Sequence, residues 1–184
     1  MKSVLISIQP KWVEKIASGE KTIEVRKTAP KEVPFKAYIY CSYGDMKTNY
    51  YLKGRGKVIG EFICDKVYNL VNDFGGIMFA DENLNQLEPQ LFRDMSCLTD
   101  KQTADYLGNK DGYGWHISDL KIYDEPKELR EFYRPCSYSG ICYSCNRFRP
   151  NGTPNDKPND FCDGAITRPP QSYMFIKELK SIKS

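Results

Sequence analysis

Three ionisable side chains crowd one short stretch: Lys21, Glu24 and Arg26 in Lys21-Thr22-Ile23-Glu24-Val25-Arg26. Read as a strand, its period of two sends Ile23 and Val25 to one face and Thr22, Glu24 and Arg26 to the other. Lys21 and Arg26 can meet a phosphate or a nucleobase edge, and Glu24 can accept from an exocyclic amine or orient the cations. That set suits a polar cleft on an apolar frame. On an exposed strand the same Glu24 and Arg26 would be a surface ion pair of little energetic worth. Glu61, on the alternating face Lys57-Ile59-Glu61-Ile63, is a second candidate carboxylate if that face turns to the cleft. Trp12 and Tyr113 can stack a base, although Trp12 has the spacing of a core anchor with Val13 and Ile16. The only histidine, His116, sits between Trp115 and Ile117 and reads as structural, which excludes a paired-histidine mechanism.

Four cysteines, Cys136, Cys142, Cys145 and Cys162, lie in a segment rich in Pro, Gly and Asn at about 134–167 that apolar burial alone would not hold. Their C-x5-C-x2-C-x16-C spacing contains the C-x-x-C knuckle that brings two thiolates to one tetrahedral Zn²⁺. Four sulfurs close the coordination, so the expected cofactor is a structural Zn²⁺ held by all four thiolates; free thiols are the alternative. Cys41, Cys64 and Cys97 are isolated and read as buried packing.

The elements that must position these groups are mostly β. Val4–Ile8 reads as a buried strand, followed by a helix over Pro10–Ser18 with Pro in its first turn, one apolar face and Gly19 at its end. Strands are expected at Ala37–Cys41 and Lys57–Asp65 around a flexible loop holding Gly54 and Gly56. The pattern weakens from Val71 to Gln90, and about 71–110 reads as an insertion, with Thr99, Asp100 and Gln102 opening a short helix that ends near Leu107-Gly108. Tyr113–Ile117 and Leu120–Tyr123 look like strands, Pro126–Phe132 like a short helix and Ser172–Leu179 like a closing strand.

The 184 residues suffice for one domain over 1–184. With 40% hydrophobic residues, 13 Tyr and 9 Phe, the composition is that of a folded chain, not a disordered one. No stretch approaches the roughly 20 apolar residues of a membrane span, and no leader is evident, so the expected location is cytoplasmic, with no membrane partner. The net charge of +3 is uneven: residues 1–36 hold eight Lys/Arg against four Asp/Glu, and the remainder 19 against 20. A basic face near the N-terminus follows, unless the excess is simply a solvated helix face.

Gly19, Lys21, Glu24 and Arg26 form G-x-K-x-x-E-x-R, which resembles the signature of the ASCH domain, a branch of the PUA-like superfamily. Ile8-Gln9-Pro10-Lys11-Trp12, Gly60-Glu61-Phe62, Tyr113-Gly114-Trp115-His116-Ile117 and Arg168-Pro169-Pro170-Gln171-Ser172 extend the likeness in order, and are similar to a bacterial and phage subgroup with a C-terminal cysteine cluster. The resemblance implies an α+β, PUA-like β-barrel (pseudobarrel) whose cleft beside the first helix binds RNA or a modified nucleoside or nucleotide. It carries Gln9, Lys11, Trp12, Lys21, Glu24, Arg26, Tyr113, Gln171 and Ser172 to nucleic-acid binding. Some relatives remove the acetyl group of 4-acetylcytidine with a Lys, a Thr nucleophile three residues later and a distal Glu; Lys21 matches that Lys, but Glu24 stands at the Thr position. Others resemble ribonucleases, for which Glu24 as base, Lys21 as clamp and Glu61 as further carboxylate would be the catalytic set. A zinc-stabilised module binding a protein partner through 71–110 and the aromatic loop Tyr138–Tyr143 is the remaining alternative.

Overall fold

A computed structural model of the chain describes residues 1–44, 54–73, 76–80, 88–108, 110–135 and 165–177. The expected four-cysteine cluster at 136–162 lies outside the described residues, as does the aromatic loop Tyr138–Tyr143. The first strand, β1 (Lys2–Ile8), buries Val4, Leu5, Ile6 and Ile8. It pairs in parallel with β3 (Phe35–Cys41), setting Val4 opposite Ala37 and Ile8 opposite Cys41. A parallel pair needs a crossover, and here the crossover is helix α1 (Pro10–Ala17) followed by β2 (Ile23–Arg26). The residues singled out above for chemistry lie largely in that connection.

On the far side of β3 lie β4 (Val58–Cys64) and the edge strand β8 (Ser118–Lys127), both antiparallel, while β9 (Tyr173–Ile176) closes the other edge beside β1. A second sheet runs β2, β7 (Gly112–His116), β5 (Val67–Asp73) and β6 (Gly76–Ala80). Between the sheets Val4, Ile6, Ile8, Val13, Ile16, Phe35, Phe62 and Trp115 form the main core. The Phe35 and Trp115 rings meet edge to face at 4.9 Å.

The strands form two sheets, and the expected β-barrel (pseudobarrel) is not closed: among the described residues β2 bonds only to β7, and β8 only to β4. The chain leaves the first sheet for β2 and returns to it at β3, and it changes sheet twice more at short corners, Asp65-Lys66 between β4 and β5 and Ile117 between β7 and β8. His116 Nδ1 lies 2.7 Å from Asp65 Oδ1 and ties the corners together. Burial would raise the Asp65 carboxyl, but the hydrogen bond and charge of His116, with further hydrogen bonds from the Asp65 backbone and Ser118, together outweigh it and hold the group below its usual value.

Two expected elements differ. The helix over Pro126–Phe132 is only a 3-10 turn at Leu129–Glu131, and Pro126 belongs to β8. An edge strand tolerates a residue without an N–H, which is why a proline there does not stop it. The weak pattern after Val71 covers a hairpin, β5 to β6, with Val71 opposite Met78. Cys41 and Cys64 are buried in the core, which pushes their thiols up to about 11 and about 12. Cys97 departs from the buried-packing expectation: it is half-buried, in the left-handed conformation after helix α2 (Pro89–Ser96). Among the described residues no helix is long and apolar enough to cross a membrane.

Candidate functional site

Gly19 turns the chain at the end of α1 with φ +78°, a conformation open to glycine at little cost. The turn folds back so that the Lys21 N–H donates to the Lys15 carbonyl at 2.9 Å, tucking Lys21 beneath the helix. β2 then alternates as its sequence requires. Ile23 and Val25 join a second apolar cluster with Phe92 of α2 and Leu107 of helix α3 (Asp100–Leu107). Glu24 and Arg26 face each other, with Arg26 Nη2 3.2 Å from Glu24 Oε1.

All three charges are buried: Lys21 is 2%, Glu24 7% and Arg26 4% exposed. Lys21 Nζ donates to the Ser96 carbonyl at 2.6 Å and lies 3.5 Å from Glu24 Oε2. Ser96 ends α2, so the ammonium meets the partial negative charge of a helix C-terminus. Burial still dominates and lowers the Lys21 pKa from its ordinary value, with Glu24 offsetting part of the effect. Arg26 Nη2 also donates to the Ser7 carbonyl of β1. Glu24 is thus held between two cations, an arrangement whose desolvation cost demands good geometry at both ends.

These groups form one wall of a cavity of about 510 Å³, a size that suits a small organic ligand. Gln9, which precedes the first helix, and Lys11 and Trp12 within it line the cavity, and so does Gln171. The Ser7 hydroxyl donates to the Pro170 carbonyl at 2.6 Å and holds the Gln171 segment at the rim. Trp12 is half-buried, its ring centroid 5.2 Å from Lys21 Nζ and 4.6 Å from Lys11 Nζ. Trp12 therefore serves both the core and the cavity.

Three expected residues are not brought to the cavity. Glu61 is opposite Tyr38 in the β3–β4 ladder and shares the outer face of that sheet, where Lys36 Nζ lies 3.3 Å away and the Tyr123 hydroxyl donates to it. Burial, followed by the bond to Glu61, pushes the Tyr123 phenol well above its usual value. Tyr113 packs against the main core instead of the cavity wall. Ser172 accepts from the Ser7 N–H through its carbonyl, and its hydroxyl is buried with no partner among the described residues.

Sequence reasoning missed the wall that α3 supplies: Gln102, Asp105 and Tyr106. The signal was present, because the Thr99 capping box fixes the register of α3 and places these residues at i, i+3 and i+4 on one face. The Thr99 N–H donates to Gln102 Oε1 at 3.0 Å, so the amide end of Gln102 is the end it can offer a ligand. Burial raises the Tyr106 phenol above its usual value, and the nearby Arg26 charge opposes that rise. The segment at about 71–110 thus supplies both the carbonyl that receives Lys21 and one side of the cavity. Among the described residues no group of three or more His, Cys, Asp or Glu side chains is arranged to hold a metal ion.

No protein-family model matches the chain, and no curated protein matches it. Solved structures do. The ASCH protein of Zymomonas mobilis superposes with a TM-score of 0.56 at 18% identity, covering 96% of this chain and 89% of that one. A serine-to-alanine variant of that protein gives a TM-score of 0.56 at 16% identity over the same shares, 96% and 89%. A tyrosine-to-phenylalanine variant gives 0.50 at 19% identity, covering 70% of this chain and 77% of the other. The chain has the α+β fold of these ASCH proteins.

Proposed function

We propose that this chain is an ASCH-family protein of the bacterial and phage subgroup and that its cavity binds RNA or a modified nucleotide. The observation that carries the reading is the buried Lys21–Glu24–Arg26 set on the wall of a cavity that also presents the Trp12 ring. A nucleobase has both an edge and a face. Its edge carries the donors and acceptors that a carboxylate between two cations can pair with. Its face can stack on Trp12 for about 1–3 kcal/mol per base, more than the about 0.5–1 kcal/mol of an exposed lysine resting on a ring. A base therefore displaces Lys11 from Trp12. Titrating single-stranded RNA while following tryptophan emission tests this: quenching that saturates and is absent in Trp12→Phe supports the reading, and unchanged emission with no binding sinks it.

The lowered Lys21 pKa beside Glu24 favours a second reading, a hydrolase in the same cavity. Lys21 would give up a proton more readily than an exposed lysine, with Glu24 as its partner. A ribonuclease that uses the RNA 2′-hydroxyl as nucleophile fits better than 4-acetylcytidine hydrolysis, because Glu24 replaces the threonine that acyl transfer would need. Incubating end-labelled single-stranded RNA with the protein, Lys21→Ala and Glu24→Gln on a denaturing gel separates binder from enzyme. Cleavage lost in both variants makes it a ribonuclease; intact RNA with the unaltered protein removes that activity.

We further propose that Cys136, Cys142, Cys145 and Cys162 bind a structural Zn²⁺, on the C-x-x-C knuckle and the low regularity of the surrounding sequence. Metal analysis of the purified chain should find close to one equivalent of zinc, and a negligible zinc content with four reactive thiols in that segment would refute it.

A further inference from the structure

Two aromatic rings line the cavity from different helices, and each has a lysine across it. Lys11 Nζ lies 4.6 Å from the Trp12 ring centroid on α1, and Lys27 Nζ lies 5.3 Å from the Tyr106 ring centroid on α3. Both lysines are exposed, and among the described residues neither pairs with a carboxylate. The interior differs. Glu24 and Asp105 line it beside Lys21 and Arg26, so it holds anions as well as cations and suits a base better than a phosphate.

From this arrangement, and resting on the reading that the cavity takes a nucleobase, we infer that the ligand is a nucleotide within a single strand and not a free nucleoside. The base enters between the walls that carry Trp12 and Tyr106. Lys11 and Lys27 leave the rings, because stacking of a base is the stronger contact, and their flexible stems carry the ammonium groups to the phosphates on the two sides of the inserted base. A free nucleoside offers those two cations no phosphate. Tyr106 is then a second stacking wall, facing the same cavity as Trp12.

The test uses the full chain with two probes, a fluorescein-labelled single-stranded RNA of mixed sequence and the unphosphorylated ribonucleosides, for the unaltered protein, Lys11→Ala, Lys27→Ala, the double variant and Trp12→Ala. The RNA binds more tightly than any nucleoside, and the slope of log affinity against log salt falls by about 0.7 for each lysine removed. The ratio of RNA to nucleoside affinity falls with it. A nucleoside that binds as tightly as the RNA, or a double variant that keeps the original salt slope, overturns the inference. In that event nucleoside binding lost in Trp12→Ala leaves the cavity reading intact. If neither probe binds, the cavity reading fails and this inference fails with it.

Discussion

Glu24 on β2 and Glu61 on β4 are each held by a lysine, Lys21 at 3.5 Å and Lys36 at 3.3 Å, yet the two sites differ in everything around that pair. Glu61 faces outward at 22% side-chain exposure, and the Tyr123 hydroxyl satisfies its second oxygen. Water and a neutral donor share the charge there. Glu24 is 9% exposed at its side chain, its second oxygen goes to another cation, and a cavity opens beside it. A lysine and a glutamate within contact distance are thus no sign of function by themselves. What separates a site from a surface pair is desolvation, a surplus of charge that a ligand can meet, and the space for the ligand.

The comparison can be broken first through stability. Glu24→Ala strands Lys21 and Arg26 without their counter-charge and should cost about 3–5 kcal/mol. Glu61→Ala leaves Lys36 near water and Tyr123 short of an acceptor, and should cost about 1–2 kcal/mol. Urea midpoints measure both, and equal losses would erase the distinction.

The pH dependence of stability sharpens it. The folded state lowers the Lys21 pKa below the 10.5 of the free side chain, so between the lowered value and 10.5 the unfolded chain binds more protons. The cost of burying the ammonium is complete below that window and is relieved as pH rises through it. The stability of the unaltered protein relative to Lys21→Met should therefore climb across the window. A flat difference would mean that burial does not weigh on Lys21. Taking the difference cancels Cys64 and Tyr123, whose raised values act in the opposite direction.

A smaller effect comes from the turn that delivers Lys21. Gly19→Ala meets no atom within 4 Å, so its cost is purely that of a φ of +78°, about 1–2 kcal/mol. A loss near zero by thermal unfolding would show that the turn can relax without glycine.

Much of this site was legible because its local rules are strict. Gly19 after an amphipathic helix, the alternation of Ile23 and Val25 with Glu24 and Arg26, and the Thr99 capping box are all short-range signals, and each appears in the structure as written. Alternation, however, says which residues share a face and not which face is the inner one. The side of Glu61 stayed open for that reason, since only pairing with Tyr38 reveals its face of the sheet. The Ser96 carbonyl that receives Lys21 is separated from it by 75 residues and is a backbone atom, so no side-chain pattern announces it. The hairpin after Val71 was obscured by Asn, Asp and Gly, residue types that are depleted in strands. Whether the strands close into one barrel also depends on long-range pairing, which no local pattern announces, and here they pair as two sheets.

The most direct test of the account compares two variants that each remove one positive charge beside a glutamate, Lys21→Met and Lys36→Met, in a fluorescence-anisotropy titration with single-stranded RNA after both are shown to be folded. The account predicts at least a tenfold loss of affinity for Lys21→Met, about 1.4 kcal/mol, and affinity near that of the unaltered protein for Lys36→Met. Equal behaviour of the two variants would contradict it, because RNA would then be reading the overall charge of the chain and not the cavity beside Glu24.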